Sequence, residues 1–164
     1  MTGPVPSRDS PDLSARWDLV LAVAVLVIAT PVATWWLVGD RSTVPAGAVP
    51  DYAFQPWDVN PGVAHAAGIG SVVAALVALL VLGRATGRNR LDPRWWGVFV
   101  PLLAAGVTVG FGWRVMTAGV IGANIGAGLM ILLGGPVVAA LLIGAIAYAI
   151  RLSLRRRPPD QGPA

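Results

Sequence analysis

Residues Val115 to Ile150 read VMTAGVIGANIGAGLMILLGGPVVAALLIGAIAYAI, thirty-six positions without a charge, closed by Arg114 on one side and Arg151 on the other. One straight α-helix of that length would measure ~54 Å, against a hydrocarbon core of ~30 Å. The stretch is too long for a single simple span, so it must be broken. The breaking residues on offer are the glycines Gly119, Gly122, Gly126 and Gly128 and the triplet Gly134-Gly135-Pro136. One reading makes two spans, Val115–Leu133 and Val137–Leu152. The other makes Met116 to about Ala127 a short outer or re-entrant helix leading into a single span at about 128–150, kinked at Pro136.

The arginines discriminate between these readings, because basic residues collect on the cytoplasmic side of membrane proteins. In the single-span reading Arg8, Arg16, Arg84, Arg88, Arg90, Arg94, Arg151, Arg155, Arg156 and Arg157 fall inside, and Arg41 and Arg114 outside, ten against two. The two-span reading exports the Arg155-Arg156-Arg157 end. The expected architecture is therefore an all-α polytopic membrane bundle of four transmembrane helices, with both termini cytoplasmic.

Composition agrees with that class. The 164 residues are 55% hydrophobic, with a mean hydropathy of +0.70, outside the range of ordinary soluble domains. All twelve basic residues are Arg and all eight acidic ones Asp, a coding bias that points to a GC-rich bacterial source and hence to a bacterial plasma membrane. The net charge of +4 raises nucleic acid as a partner, but the arginines flank apolar segments, where they set orientation, and no nucleic-acid role is expected. With no cysteine, disulfides, thiolate chemistry, iron–sulfur clusters and Cys-type zinc sites are excluded.

Along the chain, residues 1–16 are rich in Pro, Ser and Asp without apolar periodicity and read as a disordered cytoplasmic tail. The membrane domain then covers 17–152. Its first span is about 19–38, with Pro31 as a kink and Trp35-Trp36 in the outer aromatic belt. A cleaved signal peptide is disfavoured, since its apolar part is usually only about 7–15 residues. An outer loop at 39–61 carries Pro45, Pro50 and Pro56, spaced to forbid a regular helix. Asn60-Pro61 is a cap and first-turn proline that starts the second span at about 62–82. That span carries Ala64, Gly68, Ser71, Ala75 and Ala78 on one helical face, a close-packing stripe, and Val73, Leu76 and Leu80 on a lipid-facing side. Asp92-Pro93 repeats the cap-and-proline device before the third span, about 95–112, in which Gly106 and Gly110 form a second packing site. Residues 153–164 are a basic turn and a Pro-rich cytoplasmic tail.

Few residues can carry chemistry. Every Asp lies in a tail, a loop or the first turn of a span, so no carboxylate sits at membrane depth for proton coupling. His65, the one histidine, opens the second span. With Asp51 and Asp58 it makes a weak metal pattern, and its structural reading is a polar cap at the interface. Asp51, Asp58, His65 and Arg114 are the candidate outer-surface site, Arg114 pairing with Asp51 or Asp58 or with a lipid phosphate. Tyr52, Phe54 and Trp57 read as a docking patch or as part of the headgroup-level belt. In the broken segment Gly119, Gly122 and Gly126 share one helical face, while Thr117 and Asn124 lie on the other as candidate pore or ligand contacts. No phosphate loop, nucleophile elbow or two-His zinc motif is present.

These observations favour a non-enzymatic accessory, assembly or scaffold component that acts through helix packing, with the lipid bilayer and another membrane protein or a second copy as partners. No cofactor and no metal are expected. The competing expectation is a small homo-oligomeric channel or transporter with the 115–130 segment lining its path.

Overall fold

A computed structural model of the chain describes residues 13–40, 42, 53–119 and 123–155. Among these every regular element is helical: α1 (Leu13–Val38), α2 (Pro61–Gly87), a 3-10 turn (Pro93–Trp95) running into α3 (Trp96–Met116), then α4 (Ala123–Leu129), a π-helical turn (Met130–Gly134) and α5 (Gly135–Leu154). Four helical segments are long and apolar enough to cross a membrane: Trp17–Val38, Pro61–Gly87, Pro93–Met116 and Asn124–Leu154. The chain is an all-α membrane-type bundle.

The helices exceed the spans expected from hydropathy because nothing stops them where the apolar run ends. Thus α2 continues past Leu82 to Gly87, burying Ala85, until Asn89 takes a positive φ of 56° and turns the chain. The polar residues along the helices cost little in an apolar medium, because their hydroxyls bond the carbonyl four residues back. Thr30, Thr34, Ser71, Thr86, Thr108, Thr117 and Ser153 all do so, at 2.6–2.9 Å.

The short outer or re-entrant helix expected from Met116 to about Ala127 lies partly outside the described residues. α3 extends through Met116, residues 117–119 are not helical, and from Ala123 the helix runs without a stop into α5. Thr117 closes α3 twice on the carbonyl of Trp113, through its backbone N–H and through Oγ1. Gly126 and Gly128 are absorbed into helix, at a propensity cost of ~1 kcal/mol each relative to Ala, and Gly126 faces Val115 of α3. The irregularity expected at Pro136 appears as the π turn just before it. Proline has no N–H for the Leu132 carbonyl and its ring crowds that carbonyl, and the turn ahead of it widens, with the Gly135 N–H donating to the carbonyl of Met130 five residues back.

The packing order is α2, α1, α3, α5. α1 packs along both α2 and α3, and α3 along α5, which leaves α2 and α5 at the two edges of an open array. At one end, which holds Arg84, Arg88, Arg90, Arg94 and Arg151, all four helices close around Leu26, Leu82, Phe99, Ala145 and Leu152. Trp96 donates from Nε1 to Thr86 there and meets Phe99 edge-on. The other end carries the connection between α1 and α2.

Between α1 and α3 the contact is set by proline and glycine. Gly106 lies against Thr30 and the ring of Pro31, and Gly110 lies under the Pro31 carbonyl and Thr34. Gly68 of α2 accepts the indole face of Trp36, and Gly97 of α3 accepts the ring edge of Tyr148. Met130, at the first position of the π turn, inserts its thioether between Gly112 and Gly134, a use of methionine as an adaptable filler.

Candidate functional site

The end that carries the α1–α2 connection holds a cavity of about 490 Å³ walled by Trp35, Trp36, Asp40, Trp57, His65, Trp113, Arg114 and Thr117, among others. The sequence positions these side chains through three local devices. α1 ends at Val38 because Gly39 adopts a left-handed φ of 80°, its N–H returning to the Trp36 carbonyl at 3.0 Å. That turn brings Asp40 over the helix end. α2 starts beside it because Asn60 accepts from the Gly62 N–H at 2.8 Å ahead of Pro61. The incoming loop is tied to α3 where the Phe54 N–H donates to the Met116 carbonyl at 3.1 Å.

Arg114 is the organising side chain. It is only 11% exposed, reaches across from α3, and donates from Nε to the Trp35 carbonyl at 2.8 Å, capping an unsatisfied C-terminal carbonyl of α1. Its guanidinium lies 4.3 Å from the Trp35 ring centroid, a cation–π placement. NH1 meets Asp40 Oδ1 at 3.3 Å. The same Asp40 oxygen accepts from Ser42, N–H and hydroxyl both. The acidic partner is therefore Asp40, not the Asp58 considered from sequence, and Asp51 lies outside the described residues. The reason is the Gly39 turn, which delivers Asp40 to the end of α1 where Arg114 already caps it.

His65 stands on the opposite wall. Its Nδ1 is 2.8 Å from the Pro61 carbonyl, and since a carbonyl only accepts, Nδ1 carries the proton and Nε2 is the acceptor in the neutral ring. Trp36 meets the imidazole edge-on at 6.1 Å. Trp57 and Trp113 close a third side, 5.0 Å apart and tilted by 50°. Thus Trp35 and Trp36, expected in the outer aromatic belt, wall the cavity together with Trp113.

Of the other residues singled out from sequence, Thr117 is buried in the wall. Asn124 is exposed in the first turn of α4. Asp58 is exposed and does not wall the cavity. Gly68, Gly106, Gly110 and Gly126 lie at helix contacts, and Ser71 is half-buried on the same α2 face as Gly68. Gly119 is buried at the interruption after α3, and Gly122 lies outside the described residues.

Among the described residues no three His, Asp or Glu side chains gather as metal ligands. The cavity brings together one fixed cation with its Asp40 partner, one imidazole and an indole lining. No protein-family model, characterised protein or solved structure matches the chain.

Proposed function

We propose that this multi-pass membrane protein acts by contact, as an accessory, assembly or scaffold component of a bacterial plasma membrane, with the arginine-rich end in the cytoplasm. The observation that carries this reading is on α5. Ala140, Gly144 and Ala147, at steps of four and three, form one exposed helical face, and a side chain built at Gly144 would meet nothing within 4 Å. Gly106 and Gly110 of α3, at a step of four, show such a face filled, since they receive α1. Small residues let helix backbones approach closely in lipid, where packing and not the hydrophobic effect drives association. The edge position of α5 in the open array leaves this face available to a helix from another chain or a second copy.

Isolation of the tagged protein from its native membrane in a mild detergent, followed by native mass spectrometry, tests the reading. A stoichiometric second protein or a homo-oligomer is expected, and Gly144→Leu should dissolve it. A monomer without partner, unchanged by the substitution, overturns it.

The conduction reading draws on Thr117, which walls the cavity at the end of α3 just before Asn124 opens the next helix. It requires a homo-oligomer whose liposome flux is abolished by Asn124→Leu with insertion intact. Unchanged flux removes Asn124 from any path.

A further inference from the structure

The cavity does not stand alone. A second hollow of about 340 Å³ adjoins it, sharing Trp35, Trp57, Val59 and Trp113 and completed by Pro31, Val32, Val109 and Gly110, so that every wall is apolar. The unshared walls lie deeper in the span. Val109 and Gly110 precede Arg114 by five and four residues on α3, which is ~6–7.5 Å further from the helix end. Pro31 and Val32 precede Trp35 by a similar distance on α1. A polar chamber at the helix ends therefore continues into an apolar groove that descends between α1 and α3.

The chamber's chemistry is that of an anion receptor. Among the described residues two of the five guanidinium N–H groups of Arg114 are used, by the Trp35 carbonyl and by Asp40, which leaves three to offer a ligand. The ring of Trp35 below and the carbonyl beside it hold the guanidinium in one place, so little side-chain entropy is lost when an anion arrives. Phosphate oxygens match the planar fork of arginine. His65 Nε2 adds an acceptor suited to a hydroxyl. Asp40 is 58% exposed.

The geometry points to a membrane amphiphile with a phosphate headgroup as the occupant: the phosphate on Arg114, a headgroup hydroxyl near His65, and one acyl chain in the groove past Val109. The polar-to-apolar sequence of the two hollows argues for a single molecule that is itself polar at one end and apolar along its length. A soluble phosphate would leave the groove unused, and an uncharged lipid would bring no anion to an Arg114 side chain that is only 11% exposed. None of the residues walling the two hollows is on α5, and the site does not depend on the use made of the α5 stripe.

The test uses the full chain, delipidated in detergent and examined by native mass spectrometry with phosphatidylglycerol, diacylglycerol or inorganic phosphate added. Phosphatidylglycerol should be retained at least about tenfold better than diacylglycerol, and inorganic phosphate should not displace it. Arg114→Gln should lower retention by about tenfold or more. Because Arg114 also caps α1, a second variant works from the groove: Val109→Trp, at a position 49% exposed and so tolerant of size, should lower retention comparably with helix content unchanged. Equal retention of the two lipids, displacement by inorganic phosphate, or wild-type retention by Val109→Trp would each overturn the assignment.

Discussion

Gly110 of α3 lies directly beneath Thr34 of α1: a Cβ built at Gly110 would sit 2.8 Å from the Thr34 Cβ, with the Pro31 carbonyl nearer still. Neither neighbour is the far end of a flexible side chain, so neither can yield. Gly110→Ala should therefore destabilise the α1–α3 contact by about 1–3 kcal/mol, the usual cost of overpacking. Gly70 of α2 provides the contrast, since nothing lies within 4 Å of its missing Cβ, and Gly70→Ala should be neutral or stabilising by up to ~1 kcal/mol through helix propensity. Reversible unfolding in mixed micelles measures both. Equal effects at the two positions would mean that α1 does not approach α3 through this glycine.

Arg114 and Asp40 carry unequal shares of their pairing. The exposed carboxylate contributes little through a single contact, about 0–1 kcal/mol. The Trp35 carbonyl, in contrast, receives a charge-assisted bond from the mostly buried Nε, worth about 1.5–3 kcal/mol. Arg114→Lys keeps a charge but loses the planar fork and the stacking on Trp35. It should cost more than Asp40→Asn in the same unfolding assay, and the reverse order would make the ion pair the principal interaction.

Much of this fold is legible in the sequence because membrane solvation writes it there. Charge-free runs of span length, Asn60-Pro61 and Asp92-Pro93 at the helix starts, and arginine placement dictate four helices. Which helix lies beside which is not written in the same way. The Gly106/Gly110 pair announces a close contact without naming Thr30, Pro31 and Thr34 as its occupants, since any small or kinked surface would serve. The site was half legible. His65 and Arg114 stand out as lone polar side chains near helix ends, but Asp40 acquires its role from the left-handed turn at Gly39, and the indoles turn inward because Gly68 leaves room for Trp36. A Gly-Asp pair immediately after an apolar run is a C-cap signal, and it was the available clue to the Arg114 partner.

Met130 fills the space between Gly112 and Gly134 with its thioether, the Cε atom 2.7 Å from where a Gly112 Cβ would be. Truncation leaves that space empty at the widened turn. Met130→Ala should cost toward the low end of the ~2–5 kcal/mol range for buried Met truncations, because the side chain is half-buried. Met130→Leu, of similar volume, should cost less than ~1.5 kcal/mol. If Ala and Leu behave alike, the side chain does not seat the π turn against α3.

The π turn also fixes how α4 faces α3, and this can be read by cross-linking because the chain has no native cysteine. A Cβ at Gly126 would lie 3.3 Å from Val115 Cγ1, close to where the sulfur of a cysteine at 115 would sit, so a Val115→Cys, Gly126→Cys double variant should close a disulfide under mild oxidation. Pro136→Ala restores an N–H for the Leu132 carbonyl and removes the ring that crowds it. The regular i to i−4 ladder can then extend through 130–134, and losing the wider turn rotates everything N-terminal to it, including residue 126, around the helix axis. Cross-linking yield should fall in the triple variant relative to the double one, while Pro136→Gly, which also supplies an N–H, should lower it as well. An unchanged yield in both would show that the glycines packed on Met130, and not the proline, hold the turn open.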